Sequence, residues 1–130
     1  MAVTHSTAAR NAATDAVTAL IGASGKLVFR TSPSTVAAPG TAVATLSFSA
    51  TAFGAASTGT ATANAITSDT NATGNASAVA FATLQTSGGT VVIHCAVAAS
   101  GSDINMTNGL VVAAGDTVSC SSLTYTALSA

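Results

Sequence analysis

Four aspartates (Asp15, Asp69, Asp103, Asp116), two histidines (His5, His94) and two cysteines (Cys95, Cys120) are the side chains of this chain that could move a proton, attack a carbon or hold a metal. Paired carboxylates would point to general acid–base work, and a histidine beside a hydroxyl or thiol would point to nucleophilic catalysis. The spacing supports neither. There is no glutamate, and Asp69, Asp103 and Asp116 each sit beside Gly, Ser or Thr in turn-like contexts. Aspartates in turns bond their own backbone, which accounts for them without chemistry. His5 lies near the chain start, and His94 reads as lining a strand face. As its neighbour, Cys95 would point to the opposite side, so the two do not form a metal site. No serine falls in a Gly-x-Ser-x-Gly elbow, and phosphate loops and dinucleotide fingerprints are missing. The three Asn-x-Ser/Thr triplets, at Asn71, Asn75 and Asn105, are what chance gives in a chain so rich in hydroxyls. The expectation is a protein that is not an enzyme, with no cofactor and no metal. Cys95 and Cys120 read as small free thiols, with a disulfide between neighbouring strands left open.

The elements must therefore present a surface rather than a reactive centre. Only seven of the 130 residues are formally charged, against about a quarter in an ordinary soluble domain. Ala, Thr, Ser and Gly fill 80 positions, and the net charge is −1. No basic cluster exists to hold nucleic acid, and no apolar run approaches the ~18 residues needed to span a bilayer. The start, Met1-Ala-Val-Thr-His-Ser, lacks the basic and apolar regions of a secretory signal, so synthesis in a cytoplasm is expected. A surface of hydroxyls and methyls suits a chain that lies against other proteins.

Periodicity divides the chain into an arm and helix, residues 1–25, and a β-domain, residues 26–130, which together make one structural domain. Residues 6–21 read as a helix, capped by Ser6 or Thr7 and stopped by Gly22 and Gly25. Ala9, Ala13, Ala16, Val17, Leu20 and Ile21 form an apolar stripe, with Arg10, Asn11, Thr14, Asp15 and Thr18 opposite. From Lys26 the period becomes two. Strands are expected over 26–31, 42–49, 60–66, 77–85, 91–98, 110–112 and 117–127, with Ile104 and Met106 alternating briefly between the fifth and sixth. The loop 32–40 carries both prolines, and residues 51–59 are a turn-rich excursion anchored by Phe53. Thr86-Ser-Gly-Gly-Thr90 is the clearest hairpin, and Asn108-Gly109 a further turn signal. In the last strand Val118 and Cys120 share one parity while Leu123 and Tyr125 share the other, so a β-bulge is expected at Ser121–Ser122. The sum is a mainly β fold: an antiparallel, jelly-roll-like β-sandwich of seven or eight strands with one N-terminal α-helix.

An ordered series runs through the second half: Phe53-Gly-Ala-Ala, Thr60-Ala-Thr-Ala-Asn-Ala-Ile66, Asp69-Thr, Ala72-Thr-Gly74 and Gly89-Thr-Val-Val-Ile93. It continues through Ser100-Gly-Ser-Asp-Ile-Asn105, Ala114-Gly-Asp-Thr-Val-Ser119 and Ser122-Leu-Thr-Tyr-Thr126. In these segments the chain resembles a family of small virion proteins of tailed bacteriophages, which begin with a short helix and continue as a β-rich domain. The resemblance implies a structural part of the virion, a capsid decoration or cement protein on the outer shell. A tail, neck or fibre component is the alternative. Its partners would be the major capsid protein or other virion proteins, and further copies of itself as a homo-oligomer. A carbohydrate or receptor binder ranks below these, because the chain has no Trp and a single Tyr for sugar stacking. Candidate partner contacts are Arg10, Asp15, Val17 and Leu20 on the helix, together with His94 and Tyr125. The nearly neutral strands over 77–85, 91–98 and 117–127 are the expected packing surfaces.

Overall fold

The computed structural model describes residues 3–130. It is mainly β with one helix, α1 (Thr7–Ala19), followed by β1 (Lys26–Thr31), β2 (Ala42–Phe48), β3 (Thr60–Thr62), β4 (Ile66–Thr67), β5 (Val79–Gln85), β6 (Val91–Ala98), β7 (Ile104–Asn105) and β8 (Thr124–Thr126). Six strands form one sheet in the order β4-β2-β1-β5-β6-β7, and β3 and β8 form a two-stranded sheet. The antiparallel hairpin predicted at 86–90 joins β5 to β6, closed by the Thr86 N–H donating to Thr90 O at 2.9 Å, with Gly89 at φ +96°.

One face of the large sheet carries the apolar partners set opposite one another by register: Leu27 with Leu46 and Leu84, and Phe29 with Ala44 and Ala82. Ile21, Phe48, Phe53, Ala61, Val79, Val97, Val112 and Val118 close over them in a single core. The end of the helix thus shares its core with the β-domain. The second sheet face is covered too. Arg30, on β1, is 8% exposed and Thr83, on β5, is fully buried, beneath the loop that precedes β2. Arg30 Nη1 donates to Gly40 O at 2.9 Å, and Ser34 Oγ lies 2.9 Å from His94 Nε2 across that cover. This explains why β1 is buried almost without alternation. Both faces of a central strand have lost their water.

Several expectations change. The large sheet is mixed rather than wholly antiparallel, because β7 runs parallel to β6 through Val97–Ile104 and Ala98–Asn105. A full parallel pair needs a crossover of a dozen or more residues, but two paired residues need only the tight loop between Ala98 and Ile104. The strand expected over 60–66 is split into β3 and β4, which belong to different sheets. Residues 110–112 form no strand. The Leu110 and Val112 carbonyls each accept one bond instead, from Val79 and Asn75 N–H. The segment 117–127 is a strand only at β8, so no bulge lies at Ser121–Ser122; a single bridge ties Val118 to Asp69. Bulges fall in β1, β5 and β6 pairings instead, between Phe29 and Arg30, Arg30 and Thr31, and Leu84 and Gln85.

Candidate functional site

The helix begins where the sequence places it, with Ser6 Oγ accepting the Ala9 N–H at 3.1 Å, and it packs on the domain through its polar side. Its polar side faces the protein. Thr14 is 0% exposed and Thr18 is buried, whereas Ala9 and Ala16 face solvent and Leu20 is 65% exposed. Directional bonds to main chain explain this orientation. Thr14 Oγ1 donates to Gly59 O at 2.6 Å and accepts from Ala127 N–H at 3.1 Å. Asn11 Oδ1 accepts the Gly59 N–H at 2.7 Å, and Asp15 Oδ1 accepts the Ala56 N–H at 2.8 Å. Arg10 donates from Nε to Leu128 O and from Nη2 to Thr58 O, both at 3.0 Å. Gly59 can be gripped on both backbone groups only because it has no side chain. Its φ is +83°, and a Cβ there would lie 2.9 Å from the Arg10 guanidinium.

Arg10 and Asp15, expected to contact a partner, are thus engaged within the domain. Val17 is half-buried, and Leu20 stands free at the end of the helix. Tyr125 is half-buried on β8 opposite Ala61. Of the strands expected to form a packing surface, β5 lies inside the sheet between β1 and β6 and offers no edge. The free part of the β6 edge is interrupted by its bulge opposite Gln85, a device that blunts strand pairing.

His94 packs against Phe81, with ring centroids 5.0 Å apart, and contacts Ser34. This pair does not form a nucleophilic dyad. The single hydroxyl proton of Ser34 goes to Pro39 O at 2.6 Å, so His94 Nε2 must be the donor to Ser34 Oγ rather than the base that would activate it.

The four carboxylates have the same fate as one another. Asp15 accepts from Ala56 N–H, Asp69 from Thr45 and Asn71, Asp103 from Ala96, and Asp116 from Ala113. Lys26 donates to Ser47 Oγ at 2.9 Å, and Arg30 donates to Thr83 Oγ1, Gln85 Oε1 and Gly40 O. With Arg10 on carbonyls, every charged side chain has neutral hydrogen-bond partners among the described residues. No cluster of three His, Cys, Asp or Glu residues that could hold a metal occurs among them.

Cys95 and Cys120 are free. Burial pushes the Cys95 thiol up to about 11, aided by the negative charge of Asp103, and burial likewise raises Cys120. Both stay protonated near neutrality, the form that is neither nucleophile nor metal ligand.

Openings in the surface include the following two. A cavity of about 610 Å³ lies between Phe29 and the irregular segment 103–124, where Asp103 and Asp116 are both held by amides. A shallower groove of about 320 Å³ runs beside the helix, lined by Ala19, Gly22, Ala52, Phe53 and Ala55 among others. It is largely apolar, and it escaped the sequence pattern because its walls come from two segments some thirty residues apart. No helix of the described residues is long and apolar enough to cross a membrane. Compared with protein-family models, curated proteins and solved structures, the chain has no match.

Proposed function

We propose that this chain is a structural protein of a tailed-phage virion, a decoration protein that binds the outer shell beside the major capsid protein. The observation that carries the reading is the disposal of charge. All seven charged side chains bond neutral groups within the domain, and the one helix turns methyl groups outward. A surface helix of a free-standing domain normally does the reverse. The sequence resemblance to small virion proteins supports the same reading.

Attachment to the shell then rests on burial of neutral surface, at roughly 25 cal/mol per Å² of apolar area before ordering costs. Rebinding of the purified chain to shells stripped of it tests this. The expected result is saturation at a copy number that follows the capsomer count, with an affinity unchanged between low and high salt, because few exposed charges are available for screening. Saturation at a ring-sized copy number would place the chain in the neck or tail instead. An affinity that falls steeply with salt would refute the neutral contact.

A further inference from the structure

Leu20 and the groove beside the helix lie on one patch, at the same level along α1. Successive helix residues turn by about 100°. Asp15 and Ala19 therefore border the groove on one flank, Ala12 and Ala16 form the outward crest, and Leu20 stands on the other flank. Leu20 is 65% exposed, one of four large apolar side chains left in solvent among the described residues. The groove presents Ala19, Gly22, Ala52, Phe53 and Ala55, and its one charged wall residue, Asp15, is held by the Ala56 N–H. An apolar knob and an apolar groove thus flank a crest that bears no charge.

We propose that this patch is the contact between two copies of the chain. A two-fold axis running along the helix direction would set crest against crest and carry the Leu20 of each copy over the groove of the other. The patch is self-complementary, as a closed dimer requires. A knob and a groove set on separate patches would instead make a head-to-tail contact that has no reason to close. Alanine at positions 12 and 16 lets the two backbones approach closely. Arg10 is turned inward onto Leu128 O and Thr58 O, and Asp15 stays at the groove wall on the Ala56 N–H. The crest where the two helices meet therefore carries none of the like charge that a two-fold axis would set against itself. The proposal rests on reading the chain as an assembly component and names one of its partners as itself.

Sedimentation velocity of the full chain over a wide concentration range is the test. The expected result is a concentration-dependent dimer. Leu20→Lys removes the knob and Ala55→Phe fills the groove from an exposed position. Each lowers the association constant at least tenfold, while Val36→Lys leaves it unchanged. Far-UV circular dichroism and melting temperature, matched to the parent, show that the two variants remain folded. Ala16→Cys, on the crest, yields a covalent dimer on oxidation that Ala55→Phe suppresses. A chain that stays monomeric throughout overturns the proposal, as does a dimer that survives both substitutions. Growth into open chains, or loss of the dimer on Val36→Lys, overturns it equally. Shell rebinding is read separately: a monomer that still coats shells sinks the dimer alone, and a patch-dependent dimer that ignores shells sinks the decoration reading alone.

Discussion

Replacing Thr14 with valine separates the two ways in which the helix could be held. The substitution keeps the shape and nearly the helix propensity of the side chain but removes its hydroxyl. Gly59 O then loses its 2.6 Å donor and Ala127 N–H its 3.1 Å acceptor, at a site with no solvent exposure to replace them. Each buried backbone group left unpaired costs about 1–3 kcal/mol, while the methyl that replaces the hydroxyl returns about 0.8 kcal/mol. The net loss is about 1–5 kcal/mol. For a chain of this size that corresponds to a melting temperature lower by on the order of 10 °C. Urea and thermal unfolding followed by far-UV circular dichroism measure it. Ala16→Gln, on the outward face, is the partner experiment, and its expected effect is within about 0.5 kcal/mol. The reverse outcome, with Thr14→Val neutral and Ala16→Gln costly, would mean that the methyl stripe is the buried side and would refute a helix held by its polar face.

Two further substitutions probe the buried polar groups. Arg30→Ala leaves Gly40 O and the Thr83–Gln85 pair without their donor, though relief from a desolvated charge offsets part of the cost. The expected loss is about 1–3 kcal/mol, with faster limited proteolysis between residues 32 and 40, and an unchanged digestion pattern would dismiss Arg30 as the clamp of that loop. Cys95 gives a pH dependence of definite sign. Because its folded thiol titrates at about 11 and an unfolded one about two units lower, the unfolded chain releases its proton first. The contribution is whole below the unfolded value and is lost as pH rises from there through the folded value, by about 2–3 kcal/mol. Chemical denaturation in this alkaline window should show that decline in the parent and a flatter one in Cys95→Ala.

What could be read in advance was local. The helix limits followed from Ser6 and Gly22, and the hairpin from Gly88 and Gly89, because a cap or a tight turn is satisfied within a few residues. The orientation of the helix was not local. Thr14 finds its partners at Gly59 and Ala127, far along the chain, and no periodicity reports a hydroxyl that will bond a distant carbonyl. The apolar stripe alone therefore left open whether it packs on the domain or on a partner: Ile21 joins the core, Ala13 and Val17 are half-buried, and Ala9, Ala16 and Leu20 face solvent. The segment 117–127 misled for a related reason. Its Ser and Thr alternate with small apolar residues as a strand would, but only Thr124–Thr126 find a ladder partner, in β3. The groove at Phe53 was legible in part, since Phe53 was the evident anchor of its loop, whereas no short-range pattern brings the end of the helix against that loop.

The joint between helix and β-domain is made to peptide groups: Ala56 N–H, Thr58 O, the two groups of Gly59, Ala127 N–H and Leu128 O. Every residue type but proline carries both of those groups. Positions 56, 127 and 128 can therefore drift in sequence without loosening the helix, whereas positions 58 and 59 are restricted by their positive φ, and Gly59 also by Arg10. Divergent versions of the chain are thus expected to keep Arg10, Asn11, Thr14, Asp15 and Gly59 while exchanging what surrounds them. The outward crest, which bears no part of the joint, is left free to be shaped by whatever it meets.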